Sequence, residues 1–190
     1  MKNSNPPSGL EQRLADRHNQ NLYRHLQLPQ GEDFCSNDYL GFAQDDILQE
    51  RLRKILSEPT KTSISGSTGS RLLRGHHKIF ENLENELARF CEREAALFFP
   101  SGYQANLGLL SALLDKDALV FSDELNHASI IDGIKLSGAA KIIFKHNDLK
   151  DLEKHLQAPA KNKIIVVESL YSMTGDKARS EERRVGNKCR

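Results

Sequence analysis

The spacing of apolar residues changes along the chain, and the change falls near residue 94. Before it, leucines and isoleucines recur at helical intervals among charged residues, which predicts helices over 10–26, 45–56 and 79–91. A short strand over 32–36 is also predicted there. After it, short apolar runs alternate with helical stretches in the order strand 95–99, helix 102–114, strand 118–122, helix 127–137, strand 141–145, helix 148–157 and strand 163–168. This alternation predicts an α/β fold with a mainly parallel sheet and right-handed crossovers.

Two of the predicted strand-to-helix corners carry candidate chemistry. At the first, Ser101 can cap the helix, and Gly102 has no side chain to hold a ligand away from the backbone. Free amides and the helix dipole make such a helix start a seat for an anion such as phosphate. The second corner presents His127, and both are expected at the carboxyl edge of the sheet, where ligands bind. Taken singly, each feature is also typical of an ordinary cap or a structural histidine.

Composition narrows the class of partner. The chain has 190 residues, and 27 lysines and arginines against 26 aspartates and glutamates leave a net charge of +1. This balance favours neither nucleic acid nor a membrane surface, and no apolar run approaches membrane-spanning length. Three scattered cysteines predict reduced thiols in a cytoplasmic protein. No metal is predicted, because the adjacent pair His76-His77 would point in different directions on a helix.

The two corners together carry a family resemblance. Ser-Gly-Tyr-x-Ala-Asn at 101–106, followed by Asp-x-x-x-His-Ala-Ser-Ile-x-Asp-Gly at 123–133, resembles the α-oxoamine synthases. These are pyridoxal-phosphate (PLP) enzymes of the aspartate-aminotransferase fold. Further blocks follow the family's order at 36–41, 63–75 and 168–176.

The resemblance implies a division of the chain and a fold. It implies an N-terminal arm over 1–45 and an incomplete large domain over 46–178, with helices on both faces of a mainly parallel sheet. The family pattern stops there. Residues 179–190 carry five cations and two anions without apolar periodicity, so we expect a non-native or disordered tail.

The same resemblance assigns roles to individual residues. It implies that the amides of Gly102 and Tyr103 hold the cofactor phosphate and that His127 stacks on the cofactor ring and helps to orient the substrate carboxylate. Ser172 is implied near the ring hydroxyl, and Asn37 near the amino-acid carboxylate. For a substrate-contacting arginine on the arm, Arg24 is the best match, with Arg13 and Arg17 as alternatives.

For the intact enzyme the resemblance implies a homodimer that joins an amino acid to an acyl thioester with loss of carbon dioxide. The Ser63–Gly75 loop most resembles members that use alanine and a pimeloyl thioester, on coenzyme A or a carrier protein, for biotin synthesis. Two alternatives stay open: a glycine acyltransferase, which shares the block at 125–133, and a non-catalytic partner subunit that lacks the cofactor lysine.

Whether this chain is expected to be catalytically active by itself depends on that cofactor lysine. In the family it lies in a Ser/Thr-x-x-Lys motif beyond an aspartate-bearing strand, and neither occurs here. Thr174 and Lys177 match the Thr-x-x-Lys spacing. They come too early in the sequence, however, because the family's motif follows the aspartate-bearing strand and these residues precede it. We therefore expect the chain as written to be catalytically inactive and to bind cofactor weakly.

Overall fold

The computed structural model describes residues 9–28, 30–57 and 66–179. The chain divides into two compact units, Met1–Gly66 and Ser67–Arg190, which are described separately below. The expected domain boundary at residues 45 and 46 stays a prediction. Pro59, residues 63–65 of the predicted loop and residues 180–190 of the predicted tail lie outside the described residues.

The first unit contains helix α1 (Leu10–Asn19), a 3-10 turn (Phe42–Gln44) and helix α2 (Asp46–Ser57). The prediction that the first helix continues to residue 26 was wrong. Asn21 adopts a left-handed conformation with φ of 54°, and the amide of Leu22 donates back to the carbonyl of Arg17 at 2.8 Å. This is the Schellman helix ending, which asparagine can form almost as glycine does.

The predicted strand over 32–36 was also wrong. The Asp33 carboxylate accepts hydrogen bonds from the amides of Cys35 and Ser36, each at 2.9 Å, and this folds the segment into a bend. Aspartate competes for neighbouring backbone amides in this way. By contrast, the expected helix start at residue 45 is confirmed, because the Asp45 carboxylate accepts the amide of Leu48 at 2.6 Å.

The second unit is the predicted α/β region. Its elements are α3 (Lys78–Phe90), α4 (Gly102–Leu113), β1 (Ala118–Asp123), α5 (Ala128–Ser137), β2 (Ala140–Phe144), α6 (Leu149–His155) and β3 (Asn162–Val166). The three strands form a parallel sheet in the order β2-β1-β3, in which Phe121 of β1 pairs with Ile142 and Ile165. The predicted parallel sheet is confirmed, and its central strand is the one that leads to His127.

Alternate residues of β1 face two separate cores. On one face Val120 is fully buried in a cluster with Leu114, which directly follows α4, and with Ile130 and Ile134 of α5. On the other face Phe121 is fully buried against Phe144 and Leu152, the second of which belongs to α6. Helices therefore cover both faces of the sheet, as predicted.

The predicted strand over 95–99 was wrong, and the reason is a side chain of α3. The amide of Phe98 donates to Glu84 Oε1 at 2.8 Å instead of to a neighbouring strand. Arg71 binds both oxygens of Glu84, at 2.7 and 2.9 Å, and lies over the ring of Phe80. These hydrogen bonds lower the pKa of Glu84 to about 2, with that from Arg71 the largest cause. An ionised carboxylate thus holds an extended apolar segment that is not part of the sheet.

Candidate functional site

The carboxyl edge of the sheet gathers the segments that follow its three strands. The amide of His127, after β1, donates to Glu168 Oε1, after β3, at 2.5 Å. Beside it, Asn126 Nδ2 donates to the carbonyl of Val166 at 2.8 Å. These two hydrogen bonds join the ends of β1 and β3 at the edge where α/β folds bind ligands.

The start of α4, at Ser101, Gly102 and Tyr103, has the features of an anion-binding site, the anion seat. Ser101 Oγ accepts the amide of Gln104 at 3.2 Å, which confirms the predicted cap. The amides of Gly102 and Tyr103 come first in the helix, where no intrahelical carbonyl can accept them. A Cβ added at Gly102 would meet nothing within 4 Å, so the protein leaves the side-chain position of this glycine empty. Amides without an intrahelical acceptor are the donors that an anionic group at a helix start requires.

Helix α5 places this seat beside His127. The contacts Asn106–Ser129 and Leu110–Gly133 advance together along α4 and α5, so the two helices are parallel and begin at the same end. At that end the rings of Tyr103 and His127 lie 6.0 Å apart, edge to face. The predicted neighbourhood of the two corners is therefore present, although helix packing creates it and not a strand before α4.

The side chains of Tyr103 and His127, which lie beside the anion seat, are each held by a polar contact. The Tyr103 hydroxyl donates a hydrogen bond to Asp132, which raises the pKa of the phenol and keeps it protonated. His127 is exposed, and its Nδ1 atom contacts the buried Ser129. The open part of the imidazole is thus the side that carries Nε2.

Ser172 lies in the segment that follows β3. Tyr171, just before it, is 1% exposed, and Gly175 closes a turn with φ of 74° by donating its amide to the carbonyl of Tyr171. Ser172 itself is exposed on this turn. Its implied contact with the cofactor ring stays a prediction.

Arg24 and Asn37 belong to the first unit. Arg24 lines a surface cleft of about 530 Å³ together with Arg17 and Tyr23, and Asn37 is exposed in the bend that follows Asp33. Both positions leave their side chains accessible. Their implied contacts with substrate stay predictions.

A half-buried histidine that sequence reasoning missed lies at the same edge. His146, just after β2, places Nδ1 at 2.8 Å from Asp123 Oδ1 and Nε2 at 2.8 Å from Asp176 Oδ2. The hydrogen bond to Asp123 is the main reason that the pKa of His146 is raised. A signal was available, because His-Asn-Asp directly follows a predicted strand.

Within the described residues, no helix has the length and apolarity needed to cross a membrane. Cys35 and Cys91 are free and exposed.

Comparison with known proteins identifies the relatives of this chain. The sequence pattern of the family described as "Aminotransferase class I and II" matches residues 29–184. A putative 8-amino-7-oxononanoate synthase of Bacillus licheniformis is 44% identical over 177 residues, which cover 91% of this chain and 46% of that protein. Another from Halalkalibacterium halodurans is 46% identical over 147 residues, covering 77% of this chain and 36% of the relative. The chain thus spans about half the length, or less, of these curated relatives.

Solved structures give the same kinship. A serine palmitoyltransferase from S. paucimobilis with a bound PLP–myriocin aldimine superposes with a TM-score of 0.68 and 35% identity, over 76% of this chain and 36% of that one. An 8-amino-7-oxononanoate synthase from Francisella tularensis gives a TM-score of 0.61 at 29% identity, over 78% and 40% of the two chains. The chain therefore belongs to the aminotransferase class I and II family, close to its PLP-dependent α-oxoamine synthases.

Proposed function

We propose that the whole protein condenses alanine with a pimeloyl thioester, with loss of carbon dioxide, to form 8-amino-7-oxononanoate for biotin synthesis. The observation that carries this proposal is the helix start at Gly102 and Tyr103, which lies beside His127. The similarity to synthases of that name supports the choice of substrates. The sequence of the Ser63–Gly75 loop also supports this choice of substrates. In the described part of the loop, position 75 requires glycine, because an added Cβ would lie 1.9 Å from the carbonyl oxygen of Gly69.

The residues of this chain fit PLP as a bound group. The amides of Gly102 and Tyr103 would hold its phosphate, and His127 would lie against its ring. Ser172 would approach the ring hydroxyl, and Asn37 and Arg24 would bind the substrates. When bound, PLP supplies an electron sink that stabilises negative charge on the amino-acid Cα. The chain supplies binding and orientation.

A glycine acyltransferase of the 2-amino-3-ketobutyrate CoA ligase type is the second candidate. The block Leu-Asn-His-Ala-Ser-Ile-Ile-Asp-Gly at 125–133 favours it, because that type shares the block. The two candidates differ in the amino acid and in the length of the acyl chain. For either one we propose a cytoplasmic homodimer.

A chimaera tests the proposed activity. Met1–Asp176 would replace the matching part of the Francisella tularensis synthase, and the parent enzyme cut and rejoined at the same junction is the control. We expect the chimaera to turn over alanine with pimeloyl-CoA and to use glycine with a short acyl-CoA poorly. The reverse preference would favour the second candidate, and a folded, PLP-loaded chimaera that is active with neither would contradict both.

A charge placed at Gly102 tests the phosphate seat on the chain itself. We expect Gly102→Glu to weaken PLP binding at least tenfold relative to Gly102→Gln, about 1.4 kcal/mol, because a carboxylate repels the phosphate. The measurement is a titration followed at the Tyr103 amide by NMR.

Pyridoxal, which lacks the phosphate, is the matched control ligand and should bind both variants alike. Unfolding does not explain the expected loss, since a negative charge at a helix N-terminus stabilises the helix. Equal PLP affinities of the two variants would rule out the seat.

A further inference from the structure

A chain of three polar side chains lies behind the exposed edge of His127. Asn106 Nδ2 is 2.9 Å from Ser129 Oγ, and Ser129 Oγ is 2.7 Å from His127 Nδ1. The amide of Ser129 also reaches His127 Nδ1, at 3.2 Å. Two different helices, α4 and α5, therefore act on one nitrogen of the imidazole.

The direction of these hydrogen bonds follows from the one group that can only donate. The Ser129 amide is a donor, so His127 Nδ1 must be the acceptor. Ser129 Oγ at 2.7 Å from the same nitrogen then directs its hydrogen to Nδ1 and uses a lone pair to accept from Asn106 Nδ2. The neutral imidazole consequently carries its proton on Nε2, the atom on the open side.

Burial makes this arrangement difficult for water to replace. Ser129 is 0% exposed, and Asn106 is half-buried in the contact between α4 and α5. The helices approach closely there, because a Cβ added at Gly133 would lie 3.1 Å from the Asn106 carbonyl oxygen. The rotamer and the tautomer of His127 are thus determined from inside the fold.

We propose that Asn106 and Ser129 are positioning residues that hold His127 as the Nε2-protonated tautomer, and so present a hydrogen-bond donor towards the ligand at the start of α4. The identity of that ligand, PLP with its amino-acid substrate, rests on the proposed function. An Nε2–H group can donate to an anionic substrate carboxylate while the ring face lies against the cofactor. Neither positioning residue needs to touch the ligand.

The test uses a substitution that reverses the direction of the hydrogen bonds and keeps the size and shape of the side chain. In Asn106→Asp the side chain can only accept, so the Ser129 hydroxyl turns towards it and offers a lone pair to Nδ1. We expect the population of the Nδ1–H tautomer of His127 to rise at the expense of Nε2–H, while the unchanged Ser129 amide still favours the Nε2–H form. The measurement is NMR of the imidazole nitrogens in ¹⁵N-histidine-labelled chain without ligand, at a pH where histidine rings are neutral.

Two further variants separate the hydrogen-bonded path from other effects. Adding Ser129→Ala to Asn106→Asp removes the connecting hydroxyl, and the Nε2–H tautomer should return. Ser111→Ala is the matched control, since this α4 serine donates to the Gly108 carbonyl and does not contact His127. It should leave the tautomer unchanged.

A major Nδ1–H tautomer in the unchanged chain, or an Asn106→Asp variant with the same tautomer populations as the unchanged chain, would overturn the proposal. A shift in the tautomer populations that persists in the double variant would also overturn it, because the effect would then not pass through the Ser129 hydroxyl. PLP titration of the same samples reports on the proposed function independently. If PLP fails to bind but the tautomer responds as expected, the ligand assignment is wrong and the positioning by Asn106 and Ser129 stands.

Discussion

Replacing His146 with alanine should destabilise the second unit by about 3 kcal/mol, because it leaves the Asp123 carboxylate buried without the imidazole that pairs with it. Asp123 is 2% exposed, and the imidazole that faces it is itself largely buried. The measurement is denaturant unfolding of the full chain at neutral pH. His146→Gln keeps one donor atom, Nε2, in place of the two ring nitrogens, and should lose less.

A surface histidine supplies the matched control. His155 faces Asp151 one turn away on α6, at 3.6 Å, and both side chains are partly exposed. Exposed pairs of this kind contribute little, so His155→Ala should barely move the midpoint. If the two alanine variants unfold at the same denaturant concentration, His146 does not act as the structure implies.

The pH dependence of this cluster follows from the direction of each pKa shift. The pKa of His146 is raised above its ordinary value of 6.5, chiefly by the hydrogen bond to Asp123, so its contribution is complete below that value and is lost as the pH rises through the folded-state pKa. The pKa of Asp176 is lowered from 3.8, chiefly by the Thr174 hydroxyl and then by His146, so its contribution is lost as the pH falls. Stability from the cluster should therefore be greatest between about pH 4 and 6.5.

Other charged or titratable groups face His146 and belong to the same balance. They are Glu124, which accepts the His146 amide, Tyr171, which packs on the ring, and Asp148, Lys150 and Arg179, which line the adjoining cavity of about 420 Å³. Burial raises the pKa of Tyr171 to about 12, so this phenol stays neutral over the whole range. The loss at higher pH should be absent in His146→Gln, which isolates the imidazole.

The second large effect is expected at Gly133. An alanine Cβ there would lie 2.9 Å from Leu110 Cβ, so Gly133→Ala must push α4 away from α5. Overpacking of this kind costs about 1–3 kcal/mol and exceeds the gain of about 1 kcal/mol in helix propensity. Gly133→Val should cost more. Unfolding measurements and PLP titration should both respond, because the displacement separates the anion seat from His127.

Gly108→Ala is the matched control for that substitution. It gains the same helix propensity, but its Cβ would meet only the ring edge of Phe99, at 3.1 Å, and a side chain can turn aside. We expect little net change in stability and none in PLP affinity. If Gly133→Ala is tolerated as well as Gly108→Ala, the α4–α5 contact is looser than described.

The sheet was predictable from sequence because each of its strands is a short apolar run bounded by helical patterns. Residues 163–168 are typical of a buried parallel strand, and β3 lies over Asn162–Val166. Residues 95–99 show a similar pattern but are not a strand, because a strand also needs a hydrogen-bonding neighbour. Here a glutamate 14 positions earlier takes the Phe98 amide, and local apolarity gives no sign of that contact.

The candidate site also has features that the sequence predicts and features that it does not. Local signals located the cap at Ser101 and the helix start at His127, since both depend on residues next to them in sequence. The two carboxylates that pair with His146 lie 23 and 30 positions away from it in the sequence. Asn106 and Ser129, which are hydrogen-bonded to each other, are 23 positions apart. Only the fold brings such groups together, so the supporting polar contacts were beyond sequence reasoning.

The absence of a sheet strand at 95–99 has a consequence for how the anion seat opens. Since α4 follows a segment outside the sheet and packs chiefly on α5, the two helices should unfold locally as one cooperative unit while β1 stays protected. Their slowest amides should then exchange with one shared opening free energy, lower than that of β1 in hydrogen-exchange measurements. A ligand at Gly102 would raise that shared value and so protect α5, a helix whose amides it does not cover.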